Sequence, residues 1–150
     1  MSKKVTTKEI QENLVSKMKL WQKIEDASVN STGQIIEQTD NPLIRTVMEI
    51  IQSDSHLHYK VQSLIVATLS KQAIPLTPEE LGSVWSSIDK HIQFEKQMVG
   101  YVQEALDQIK GRKMLIQEYL LNYLLRDEEK HDALLAALEK IKAGMYPYGA

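Results

Sequence analysis

The sequence predicts an all-α protein, a four-helix bundle in one domain. Three observations lead to the bundle. Glycine and proline are scarce, and Pro42, Pro75, Pro78, Gly111 and the Gly144–Gly149 tail cut the 150 residues into four long pieces. Each piece carries apolar residues at helical spacing. No stretch alternates apolar and polar residues as a half-buried strand does. Four amphipathic segments of about thirty residues with short loops make a bundle, and the length suits one domain with a real core.

Helix 1 is expected over residues 7–38, with Leu14, Met18, Trp21 and Glu25 on one stripe. Helix 2, over 42–69, starts at Asp40-Asn41-Pro42, a capping side chain followed by proline in the first turn. Its stripe reads Val47, Ile51, Asp54/Ser55, His58, Val61, Ile65 and Leu69. Helix 3, over 78–110, opens with the capping box Thr77-Pro78-Glu79-Glu80. It runs through Leu81, Val84/Trp85, Ile88, Ile92/Glu95, Met98/Val99, Val102 and Leu106 to Gly111. Helix 4, over 112–142, carries Leu120/Leu121, Leu124, Asp127/Glu128, His131, Leu134/Leu135 and Leu138, and 143–150 forms a turn or extended strap. Gly33, Gly82 and Gly100 fall inside helical patterns, each at a cost of up to ~1 kcal/mol relative to alanine.

Composition narrows the functions. The chain has no cysteine, which removes disulfides, thiolate metal sites and a cysteine nucleophile. A net charge of −2 offers no broad basic surface for nucleic acid. Lys3 and Lys4 precede no apolar core of a signal peptide, and no apolar run approaches the ~20 residues a membrane span needs. The expectation is a soluble cytoplasmic protein.

Each apolar stripe is interrupted near its middle by groups that bind metals. Helix 1 carries Glu25; helix 2 carries Asp54, Ser55 and His58; helix 3 carries Glu95; helix 4 carries Glu128 and His131. An unpaired buried carboxylate costs several kcal/mol, and a shared cation offsets that cost. Residues three apart are neighbours on one helix face, so Glu128 and His131 can reach one ion. Carboxylate oxygen with imidazole nitrogen suits iron or manganese, with zinc also compatible. The chain also reads as two related halves. Ile24-Glu25-Asp26-Ala27 parallels Phe94-Glu95-Lys96-Gln97, and Asp54-Ser55-His56-Leu57-His58 parallels Asp127-Glu128-Glu129-Lys130-His131.

This pattern resembles the ferritin-like superfamily, most closely its rubrerythrin-like di-iron carboxylate branch: Glu, Glu-x-x-His, Glu, Glu-x-x-His over four helices. Glu25, Glu95 and Glu128-x-x-His131 match, and His58 falls at the remaining histidine. Ser55 stands where the family has a glutamate, and Asp54, one turn before His58, is the substitute within reach. The resemblance implies two transition-metal ions, iron first with manganese or zinc as alternatives, and neither haem nor nucleotide. Their ligands would be Glu25, Asp54, His58, Glu95, Glu128 and His131. It implies redox chemistry, either oxygen or peroxide reduction or Fe(II) oxidation, in a rubrerythrin-like peroxidase or ferroxidase. The absence of cysteine leaves electron supply to an external donor. A homodimer through aromatic and aliphatic surface on helices 3 and 4 is the expected assembly.

Blander readings compete. Because of Ser55 the site is also compatible with an asymmetric or mononuclear centre, or with a degenerate bundle acting in metal storage or as an interaction protein. Asp54 could hydrogen-bond an inward histidine instead of a metal. His91, one turn before Glu95, is placed to support that carboxylate, and His56 points away from His58. The tyrosines and tryptophans suit packing. The family topology makes helices 2 and 3 parallel. His58 and Glu95 are 37 residues apart, so matched depth requires roughly 11–12 extended residues between them. The family crossover therefore predicts that helix 2 ends near Val66; the alternative is up-down-up-down.

Overall fold

The computed structural model describes residues 4–70 and 76–145; the expected tail conformation beyond Met145 lies outside them. These residues form four helices, α1 (Thr7–Gln38), α2 (Pro42–Ser70), α3 (Pro78–Ile109) and α4 (Leu115–Gly144), and no strand. The protein is all-α. None of the four helices is long and apolar enough to cross a membrane.

Local chemistry sets the boundaries. Thr6 and Glu9 form a capping box at the start of α1, with Glu9 N donating to Thr6 Oγ1 at 3.2 Å and Thr6 N to Glu9 Oε2 at 2.7 Å. Thr77 and Glu80 repeat it ahead of Pro78 at the start of α3. Asn41 Oδ1 accepts from the Leu43 and Ile44 amides of α2. α3 gives way at Gly111, whose φ of 76° lies where a Cβ is strained. α4 starts at Leu115 and not at Arg112. The Arg112 amide is still tied to Ile109 O and the Met114 amide to Arg112 O, so those residues complete a turn before the helix begins.

The chain divides into two compact units, residues 1–74 and 75–150, each a helical hairpin. In the first, α1 lies antiparallel on α2: contacts pair Gln22 with Ser63, Ser28 with Ser55, Val29 with Gln52, and Ile36 with Arg45. The α1 seam is Val15, Met18, Gln22, Glu25, Val29, Thr32 and Ile36, alternately three and four residues apart and buried or half-buried throughout, the spacing of a coiled-coil seam. Much of this interface is polar. Gln22 Nε2 donates to Ser63 Oγ at 2.7 Å and to Tyr59 O at 3.2 Å, and Gln52 Nε2 donates to Val29 O at 3.1 Å. Gly33 makes room for that amide, since a Cβ there would come within 3.3 Å of Gln52 Nε2. Arg45 Nη1 donates to Ile36 O and Thr39 O, placing a cation on the unsatisfied carbonyl end of α1.

In the second hairpin the α3 seam is more apolar. Leu81, Trp85, Ile88, Ile92, Val99, Val102, Leu106 and Ile109 keep the same alternation, with Glu95 alone in the middle. α4 packs antiparallel on it, and Lys142 Nζ sits 4.9 Å from the centre of the Trp85 ring.

The expected inward stripes need correction within these hairpins. Leu14 and Trp21 of α1, Ile51, Val61 and Ile65 of α2, Val84 of α3, and Leu124 and Leu134 of α4 are exposed, and no α4 residue is fully buried. A helix with a broad apolar face covers only part of it against one neighbour. The seam therefore took the positions beside the stripe, Gln22 and Gln62 among them. Helix 2 also fails to end near Val66. It runs to Ser70.

Candidate metal centre

Three of the expected ligands meet in the α3/α4 hairpin. Glu95 falls at a seam position of α3, so the helix points its carboxyl at α4 and leaves the side chain 4% exposed. Glu128 and His131 are three apart on α4 and share the facing side. Each of the three offers one ligand atom, and these atoms lie within 4.8 Å of one another. His131 Nδ1 is 3.4 Å from Glu95 Oε1 and 3.5 Å from Glu128 Oε2. The groove they line, with Met98 and Leu135 beside them, has a volume of about 440 Å³.

The two carboxyl groups shift each other's protonation in opposite directions. The hydrogen bond to Glu128 is the main cause holding Glu95 below the ordinary carboxylate range, helped by His91 and the His131 charge against the opposing effect of burial. The same bond raises Glu128, and burial and the Glu95 charge push it the same way. With both groups ionised, Glu95 Oε2 and Glu128 Oε2 are buried with no donor.

Two neighbours complete the surroundings. His91 Nε2 lies 2.9 Å from Glu95 Oε1, so the residue placed beside Glu95 by sequence is in direct contact with it. Asp127, to which sequence reasoning gave no role at the metal, has Oδ2 3.5 Å from His131 Nε2 and Oδ1 2.8 Å from Lys130 Nζ. The signal was available: Asp127 and His131 are four apart, the spacing at which a carboxylate orients an imidazole on one helix face.

The remaining candidates, Glu25, Asp54 and His58, lie in the α1/α2 hairpin. Glu25 is buried, with Oε1 3.4 Å from Nδ1 of a largely exposed His58. Asp54 is half-buried and makes no ion pair or hydrogen bond among the described residues. Ser55 is buried and donates from Oγ to Ser28 Oγ at 2.8 Å. Ser28 was not singled out by sequence, although it sits three residues after Glu25 on the same face. The repeat therefore holds position by position. Glu25, Ser55 and His58 answer to Glu95, Glu128 and His131; Asp54 answers to Asp127, and Trp21 to His91.

No protein-family model matches this chain, and no curated protein or solved structure matches it.

Proposed function

We propose that this protein is a metal-binding helical bundle whose α3/α4 hairpin holds a transition-metal ion through Glu95, Glu128 and His131. One observation carries the reading: a nearly buried glutamate faces a second carboxyl and an imidazole, with carboxylate oxygens left without donors. A divalent cation would satisfy both oxygens and remove the repulsion between them. The donor set is oxygen with nitrogen, which fits iron, manganese or zinc. Asp127 Oδ2 lies 3.5 Å from His131 Nε2, placed to orient the ring whose Nδ1 would face the ion.

The ferritin-like reading goes further. It makes the protein a non-haem oxidoreductase with a dinuclear iron or manganese centre. Iron or manganese bound there would supply one-electron chemistry toward oxygen, peroxide or Fe(II). The chain's own groups would bind the ion, orient His131 and take up or release the carboxyl proton. An external electron donor belongs to this reading, since the chain has no cysteine for a thiolate redox module. A second reading, metal binding without turnover, is favoured by Ser55, which spends its hydroxyl on Ser28 where the family pattern has a ligand.

Metal analysis of untagged protein, with melting measured in the presence and absence of chelator, tests both. Two ions per chain support the dinuclear form and one ion the simpler site. In either case the hairpin ion is lost in Glu128→Ala, and chelator lowers Tm, because a ligand bound only by the native state stabilises it. Metal-free protein from iron- and manganese-replete cells, with a melt indifferent to chelator, would leave a purely structural bundle.

A further inference from the structure

We infer that His91, without touching the ion, is a positioning residue for it: its hydrogen bond holds Glu95 Oε1 and keeps Oε2 free for the metal; this rests on the metal reading of Glu95, Glu128 and His131. The two oxygens of the Glu95 carboxyl are not equivalent. Oε1 has His91 Nε2 at 2.9 Å, whereas Oε2 is buried with no partner. His131 Nδ1 approaches Oε1 less closely, at 3.4 Å. An ionised carboxylate only accepts hydrogen bonds, so the His91 ring donates and carries a proton on Nε2. Glu128 likewise keeps a buried Oε2 without a partner, and His131 Nδ1 lies 3.5 Å from it. One oxygen of Glu95 is therefore taken by the protein, and the other is left for a cation.

The helix supplies the contact. His91 and Glu95 are four apart on α3 and share a face. The His91 ring stands edge-on to Phe94, with centroids 6.2 Å apart, a favourable arrangement of rings that biases its orientation. More than half of the His91 side chain is exposed, while that of Glu95 is 4% exposed, so the imidazole reaches the carboxyl from the edge of the hairpin. The last torsion of a glutamate is broad and roughly two-fold. An unrestrained carboxyl at this position could turn either oxygen toward Glu128 and His131. The bond from His91 selects one orientation before the ion arrives, and partners of this kind commonly raise metal affinity by about 10–100-fold. In α1 the residue four before Glu25 is Trp21, so the first hairpin has no imidazole at the equivalent position.

The test is Co(II) titration of the metal-free full chain, read as affinity, for wild type and two variants. His91→Leu removes the donor at similar size. His91→Gln keeps an N–H at about the reach of Nε2. Both fall on a mostly exposed side chain, and far-UV circular dichroism of the metal-free proteins checks that both are folded. His91→Leu should bind cobalt about tenfold or more weakly than wild type, and His91→Gln should restore most of that loss. A role in packing alone would not separate the two, since glutamine lacks the ring as leucine does. A His91→Leu protein with wild-type affinity would overturn the inference, and so would a His91→Gln protein as weak as His91→Leu. In both cases cobalt uptake by wild type that is lost in Glu128→Ala would leave the metal reading standing. Wild type that takes up no cobalt would overturn this inference together with the metal reading itself.

Discussion

Glu128 sits between two opposing demands, and its protonation shows which one prevails. In the metal-free hairpin its pKa is raised, first by the bond shared with Glu95 and then by burial and the Glu95 charge. The folded form therefore keeps a proton that the unfolded chain releases. As pH rises from the ordinary carboxylate range through the raised folded value, the unfolded state gains relative to the folded one. Glu95, lowered by the same bond, works in the other direction: its contribution is present above its unfolded value and lost as pH falls toward the folded one. Glu128→Gln keeps a donor for Glu95 and removes the second charge. It should raise the melting temperature of metal-free protein at neutral pH by a few degrees, on a scale of about 2–4 °C per kcal/mol. If the hairpin binds metal as proposed, metal should raise the melting temperature of wild type further and leave this variant unchanged. Thermal melts of both proteins at pH 5 and pH 8, with and without metal, check this. A metal-free Glu128→Gln protein less stable than wild type at pH 8 would mean that the two carboxyls do not repel.

At the scale of the element, the α1/α2 seam gives up stability for polar pairing. Gln62 is 3% exposed, and its Oε1 has no hydrogen-bond partner, a defect worth about 1–3 kcal/mol. Gln62→Met, close in volume, should raise stability by about 1–2 kcal/mol by that argument, as measured by urea unfolding; an unchanged or lower midpoint would show that the amide has a partner in solution. The cost should appear as looser register, because buried polar groups in a seam discriminate between alignments. The same seam explains which elements could be read from sequence. The starts of α2 and α3 were legible because Asn41 and Thr77 cap by local chemistry, needing only their neighbours. The start of α4 was not, because the Arg112 and Met114 amides are tied into a turn that periodicity does not encode. Glu25 and Glu95 were found because each breaks an apolar run. Gln22 and Gln62 were overlooked because the apolar stripe drew the inward face to Trp21 and Val61, which the hairpin leaves exposed. His131 and Glu128 were legible as a pair, whereas the bond from His91 to Glu95 depends on a rotamer that spacing permits without requiring.

For the molecule as a whole, the two hairpins are versions of one plan that differ in donor number. Equivalent positions read Trp21, Glu25, Ser55 and His58 in the first and His91, Glu95, Glu128 and His131 in the second. If donor number sets where metal binds, restoring a donor to the first hairpin should change what the chain carries. Ser55→Glu is the direct trial. Ser55 is buried and bonded to Ser28, so a carboxylate there, near the Glu25 charge, costs several kcal/mol without a cation. Metal-free Ser55→Glu should melt well below metal-free wild type. With metal present, the introduced carboxylate joins Glu25 and His58 in the carboxylate–carboxylate–imidazole set that α3 and α4 already have. The deficit should then largely close, since binding to the native state alone offsets a folded-state penalty. Metal analysis should find more ion per chain than in wild type, and Glu128→Ala on that background should remove only part of it. A Ser55→Glu protein that is destabilised equally with and without metal, and carries no additional ion, would show that the first hairpin's likeness to the second is one of sequence and not of coordination.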